Sequence, residues 1–283
     1  MSNHTFEVKL IVTSMQHYTA TTYHTIMRNS LLSLIFITTM SACSSNVLTP
    51  QTRPNITIVQ QKLTPVELAR RMTNETVALC DGQNEQSAHV YCTATWISKT
   101  ELLTAAHCVE DTVKNKIDDF QKVDELESVA YYYTAEEYRG FMKQPSSVHV
   151  TRVTALDRRH DIAMLTMLVS APEHGFAKFA KWMPDVGERV YGVGHPHQMS
   201  WTFVEGIVSA YREKDFLPAA SLNNAGPYMQ LAIPIASGMS GGGAFNERGE
   251  YIGVAVFGNT VVPMNALYVY IDTVKTFVNS AKK

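Results

Sequence analysis

Gly238-Met239-Ser240-Gly241-Gly242 is the string richest in chemistry in this chain of 283 residues. A serine hydroxyl is a poor nucleophile near neutral pH and needs a base within hydrogen-bond reach. Glycine lets the backbone bend sharply and come close to a substrate, so the N–H groups of Gly238 and Ser240 could point at one oxyanion. Taken alone, the same string also reads as a flexible glycine-rich turn. Leu103-Thr104-Ala105-Ala106-His107-Cys108 offers the base, a histidine at the end of an apolar strand, although a lone histidine is more often a structural residue and this chain has 10. Asp161-Ile162-Ala163-Met164-Leu165 sets a carboxylate at the mouth of a buried strand, where it could orient an imidazole and stabilise its cation. His160, His195 and His197 read as incidental, the first exposed beside Asp161 and the other two in a turn.

The elements that must position these groups are mostly short and β-rich. Thr64-Pro65-Val66-Glu67 is a capping box with proline at the first helical position, which predicts a helix over Pro65 to Met72. Strands are then expected over 76–79, 89–97, 102–105, 130–134, 148–155 and 162–168. A second set follows over 189–193, 201–209, 228–232, 243–245, 251–257 and 266–270. Turn residues separate the runs, and this spacing indicates an all-β sandwich or barrel. Ile271, Val274, Phe277 and Val278 fall at helical spacing, so the chain should close on an amphipathic helix packed against the strands.

Composition excludes several classes. With 45% hydrophobic and 18% charged residues the chain can bury a large core, so disorder is not the reading. Lysine and arginine total 24 against 26 for aspartate and glutamate, with neither sign gathered into a block, so nucleic acid is not an expected partner. There is no apolar run of about 18 residues that would span a bilayer.

Near the start, Met27-Arg28, the apolar stretch Leu31 to Ile37 and the small residues before Cys43 form a short secretion signal. Residues 1–26 read as an upstream extension, 27–42 as the signal and 43–63 as a polar, proline-containing tether. Export would place Cys80, Cys92 and Cys108 where disulfides persist. Three is an odd number. A Cys92–Cys108 bond would tie the His107 loop to the preceding strand and is the expected pair. The alternatives are three buried thiols, or Cys80 as the partner of Cys92 or of another chain.

In identity and chain order, the His107, Asp161 and Ser240 strings together resemble the trypsin-like (chymotrypsin-fold) serine proteases. Cys92 and Cys108 match the disulfide around the histidine loop in that family. The strings Gly187 to Pro196 and Glu205 to Ala210 look like the HtrA-type branch. The resemblance implies an all-β fold of two six-stranded antiparallel Greek-key barrels, divided near residue 175 within a domain spanning 64–283. It also implies a Ser-His-Asp triad of Ser240, His107 and Asp161 with an oxyanion hole from Gly238 and Ser240, and neither metal nor cofactor. Pro234, Ile235, Val256, Phe257, Gly258 and Ala266 would line the specificity pocket. With no acid among them, an apolar residue before the cut is expected.

Met239 stands where many relatives carry an aspartate, and the Ile-Val-Gly-Gly activation start is missing, so no zymogen switch of that kind is expected. HtrA-type enzymes usually carry a PDZ module after the protease domain, and gating by one is likewise not expected. The small residues leading into Cys43 are similar to the lipobox of bacterial lipoproteins, which implies a lipid anchor at Cys43 and a place in the cell envelope, at the outer membrane. The implied function is a serine endopeptidase acting on extracytoplasmic proteins. A peptide-binding pseudoprotease and an esterase are the alternatives.

Overall fold

A computed structural model describes residues 62–81, 89–109, 120–122, 130–133, 148–168, 173–213, 226–258 and 265–283. The leader, Cys43 and the tether to residue 61 lie outside them. Helix α1, Pro65–Asn74, opens on the capping box: Thr64 accepts the Glu67 N–H at 3.3 Å, and the Glu67 carboxylate accepts the Thr64 N–H at 2.8 Å. Such a cap contributes about 1 kcal/mol. Leu68 and Met72, one turn apart, are fully buried, and the helix runs two residues beyond its expected end. Leu63, expected in the tether, packs on the core and donates its N–H to the Glu247 carbonyl at 3.2 Å.

Strands β1 (Thr76–Asp81), β2 (His89–Trp96), β3 (Glu101–Thr104), β4 (Phe120–Lys122), β5 (Ala130–Tyr133), β6 (Val148–Asp157) and β7 (Ile162–Met167) form one sheet. In it β5, β1, β2, β3, β7 and β6 follow one another, and β6 pairs back to β5, so six antiparallel strands close into a barrel. β4 adds to β6 from outside the ring. Strands β8 (Lys178–Phe179), β9 (Arg189–Gly194), β10 (Thr202–Arg212), β11 (Tyr228–Ala232), β12 (Gly243–Asn246), β13 (Glu250–Gly258) and β14 (Ala266–Tyr270) form the other sheet. Here β9, β10, β11, β14, β13 and β12 close a second six-stranded ring, and β8 joins β13 in parallel. Within each ring the first, second and third strands are followed in space by the sixth, fifth and fourth. The two barrels therefore share one Greek-key connectivity, and closure leaves neither ring with a bare edge. β4 and β8, of three and two residues, are strands the sequence reading did not include.

One core runs through the first barrel and on to the second: Leu102, Leu103, Leu156, Ile162 and Leu165 join Tyr191, Val193, Phe245 and Tyr251. A second core, with Val190, Val208, Met229, Leu231 and Ile252, fills the other barrel. Along β9 the period of two sends Val190 to one core and Tyr191 and Val193 to the other. Helix α2, Ile271–Ala281, buries Ile271, Val274, Phe277 and Val278 as its spacing predicts. Cys92 and Cys108 are joined by a disulfide, and Cys80 is buried in β1 outside it.

Candidate active site

β3 delivers its last residues into a tight 3-10 turn, Ala106–Cys108, that lifts His107 off the barrel. Cys108 on the same turn is bonded to Cys92 in β2, so the turn is tied to its own barrel wall. The His107 side chain is 38% exposed, against 6% for that of Asp161, the residue just before β7. The Asp161 carboxylate holds His107 at two points. Oδ1 accepts the His107 backbone N–H at 2.8 Å, and Oδ2 lies 2.7 Å from Nδ1. An ionised carboxylate only accepts, so Nδ1 carries the proton and the neutral ring presents a lone pair at Nε2.

Asp161 reaches this position in the left-handed region, at φ 57°, which is costly for a residue with a side chain and clusters at functional sites. The turn before it is braced by Asp157, whose carboxylate accepts the His160 N–H at 3.1 Å and lies 2.7 Å from His160 Nδ1. Burial works against the Asp157 charge, but the His160 hydrogen bond and charge hold its carboxyl below the usual carboxylate range. His160 is therefore not the exposed bystander expected of it. It is half-buried and pins the hairpin that aims Asp161.

Ser240 is half-buried in the connection between β11 and β12. Gly238 at φ 98° and Gly241 at φ 82° flank it in backbone conformations that side chains resist. Space forbids side chains as well: a Cβ on Gly238 would stand 2.2 Å from the His195 carbonyl oxygen, and one on Gly241 2.1 Å from Thr104 Oγ1. The loop is clamped to the first barrel through Thr93 in β2. Its N–H donates to the Ser240 carbonyl at 2.8 Å and its hydroxyl to the Gly238 carbonyl at 2.7 Å, while Thr104 Oγ1 donates to the Thr93 carbonyl at 2.8 Å. The Met239, Gly241 and Gly242 N–H groups are taken by the carbonyls of Ala236, Ala255 and Met239. Among the described residues no backbone carbonyl takes the N–H of Gly238 or of Ser240.

The disulfide lies beside both the His107 turn and the serine loop. Its sulfurs lie within 4.8 Å of a His107 ring nitrogen, and Cys108 Sγ is 3.8 Å from the Ser240 carbonyl oxygen. The sulfurs are bonded to each other, so with His107 they do not form a thiolate metal set in this state. From β11, Tyr228 adds a buried phenol pushed above its usual range by burial, with the Asp161 charge acting in the same sense.

The residues expected to line the specificity pocket divide. Ile235 lies against Gly258, where a Cβ would stand 2.7 Å from Ile235 Cγ2, and Gly258 is paired with buried Ala266 across β13 and β14. Pro234 is exposed, Phe257 is partly buried, and Val256 is buried at an irregularity between Ala255 and Phe257. His197 is exposed, as expected of a turn residue. His195 is not: it is fully buried, accepts the Trp201 N–H at Nδ1 at 3.1 Å, and meets the Trp201 ring edge-on at 5.0 Å. Thr93 and Trp201 were also missed, because neither residue type nor local spacing marks a residue that works across barrels.

Paired Greek-key barrels of this connectivity are the chymotrypsin-like fold. The trypsin-like peptidase domain family matches residues 92–254, more than half of the chain, and the chain belongs to that family. A probable periplasmic serine endoprotease, DegP-like, from Brucella suis biovar 1 is 35% identical over 109 residues, covering 36% of this chain and 19% of that protein. Its counterpart in Buchnera aphidicola is 28% identical over 106 residues, 38% of this chain and 22% of its own length. Each match thus spans about a fifth of the relative. Among solved structures, the serine endoprotease from Yersinia pestis superposes with a TM-score of 0.55 at 16% identity, covering 78% of this chain and 68% of that one. An HtrA-type protease solved with a tripeptide gives 0.57 at 15% identity, covering 77% and 63%. At those identities the likeness is one of fold.

Proposed function

We propose that the chain is a serine endopeptidase of the bacterial cell envelope, held there by a lipid on Cys43, that cuts extracytoplasmic proteins through Ser240, His107 and Asp161. The observation that carries the reading is the two-point grip of Asp161 on His107, which leaves Nε2 as the base, on a ring beside the disulfide that also contacts the Ser240 carbonyl. His107 Nε2 takes the Ser240 proton as Oγ attacks the scissile carbonyl, and the buried Asp161 carboxylate stabilises the imidazolium that forms. The new oxyanion receives the N–H groups of Gly238 and Ser240. The imidazolium then returns its proton to the leaving amine, and a water repeats the sequence on the acyl-enzyme.

Gly238→Ala tests the oxyanion hole. The added Cβ must push the segment away from the His195 carbonyl and carry the Gly238 N–H with it. Loss of one such donor lowers kcat by about 100- to 1000-fold with little change in KM, measured on a peptide substrate.

Envelope location is supported by the periplasmic naming of the relatives and by the leader, and protein substrates by the family. Ile235 and Gly258 in contact, with Ala266 behind and no acid among them, support an apolar and shallow pocket. Digestion of an unfolded protein, with the new ends read by mass spectrometry, should give internal cuts after small or medium apolar residues. Cuts dominated by arginine or lysine contradict the pocket assignment, and ester cleavage without any peptide cleavage contradicts the endopeptidase reading.

A further inference from the structure

The loop from Gly194 to Trp201 carries an unusual load beside the serine loop. His197, Gln198 and Trp201 have φ of 47°, 66° and 55°, three side-chain-bearing residues in the left-handed region within five positions. Such a run persists only where its surroundings over-determine it. The outer end of the loop is exposed at His197, Gln198 and Met199, so the restraint comes from its base. There His195 has 0% exposure, takes the Trp201 N–H on Nδ1 at 3.1 Å, and packs against the Trp201 ring. The indole in turn donates to the Thr76 carbonyl at 3.4 Å. With Nδ1 accepting, the proton resides on Nε2, a buried atom with no hydrogen-bond partner among the described residues. Burial holds this imidazole neutral, its pKa pushed down to about 3.

The same loop touches the segment that carries Gly238. His197 N–H donates to the Ser237 carbonyl at 2.8 Å, and the His195 carbonyl fills the space where a Gly238 Cβ would stand. Gly194 lies against Met239, whose Cγ would be 3.1 Å from a Cβ there. On the opposite side Thr93 binds the Gly238 carbonyl. Residues 237–239 are therefore gripped between Thr93 and this loop, and the direction of the Gly238 N–H depends on both.

We infer that His195 is a positioning residue for the oxyanion hole: by accepting the Trp201 N–H it locks the 194–201 loop in the strained shape that seats Ser237 and Gly238. The inference rests on the reading that the Gly238 and Ser240 N–H groups bind the oxyanion. It makes a second histidine necessary for the reaction, one that transfers no proton and stays out of reach of substrate.

His195→Leu keeps the bulk and removes the acceptor. His195→Asn places Oδ1 near the former Nδ1 and restores it. The two are compared with wild type in kcat and KM, and in affinity for a peptide aldehyde and the matching peptide alcohol. The aldehyde adds the serine hydroxyl to form a hemiacetal whose former carbonyl oxygen occupies the place of the oxyanion, and the alcohol forms no adduct. His195→Leu should lose about 10- to 100-fold in kcat and in aldehyde affinity, with KM and alcohol affinity within about threefold. His195→Asn should recover most of both. Wild-type behaviour of His195→Leu, or equal loss of aldehyde and alcohol binding, overturns the inference. A wild-type protein that binds aldehyde no better than alcohol would instead overturn the catalytic reading beneath it. Should the leucine variant fail to fold, nitrogen NMR of histidine-labelled wild type decides. A His195 ring protonated on Nε2 alone and unchanged from about pH 8 to 4 supports the inference, and titration near the ordinary value of about 6.5 overturns it.

Discussion

Replacing Ser240 by alanine, or His107 by alanine, lowers kcat for peptide hydrolysis by roughly a millionfold, and the double variant loses no more than either single one. The equality follows from the chemistry. A hydroxyl without its base is not a nucleophile at neutral pH, and a base without the hydroxyl has no proton to take, so either deletion removes the whole path. What survives in each variant is substrate binding and any donors aimed at the carbonyl oxygen, and KM should move little. Both side chains project from tightly held loops without filling a core, Ser240 half-buried and the His107 ring 38% exposed. The Thr93 clamp grips main-chain carbonyls, and the Cys92–Cys108 bond anchors the His107 turn to β2. Melting temperatures close to wild type are therefore expected, which separates lost chemistry from lost structure.

Asp161→Asn should lower kcat by about ten-thousandfold, the scale on which a wrong histidine tautomer acts. The carboxylate accepts from two His107 donors, the backbone N–H and the ring Nδ1–H. An amide has one accepting atom. If its oxygen serves the backbone N–H, its NH2 faces Nδ1, the ring proton moves to Nε2, and the base is lost. Asparagine tolerates the left-handed backbone that Asp161 occupies at φ 57° about as well as aspartate, so the hairpin and its Asp157–His160 brace should persist. The measurement is kcat as a function of pH for the variant and wild type, with near-ultraviolet circular dichroism as the check on folding. A variant retaining a tenth of wild-type kcat would remove Asp161 from the mechanism.

Much of this site could be read without a structure because its members announce themselves by type and by position at element ends: a histidine after an apolar strand, an aspartate before one, a serine among glycines. The strands were legible as β-rich runs punctuated by turn residues. What stayed hidden acts through tertiary contact. Thr93 reads as one more residue of a β-rich run, yet it donates twice to the serine loop across barrels. His195 sits before a proline in what sequence presents as a surface turn. Only the fold of Trp201 back over the loop buries it completely. His160 was misjudged because its partner lies three residues earlier, a spacing that signals nothing until the hairpin closes. The two six-stranded Greek-key barrels were expected from the family resemblance, whereas the residue register that closes each ring came with the three-dimensional structure.

The most direct test of an activated serine is covalent trapping. A fluorophosphonate probe incubated with residues 44–283 should modify wild type at one site, mapped by peptide mass spectrometry to Ser240, and leave Ser240→Ala and His107→Ala unlabelled. Equal labelling of all three proteins, or a phosphonylated residue other than Ser240, would contradict the account.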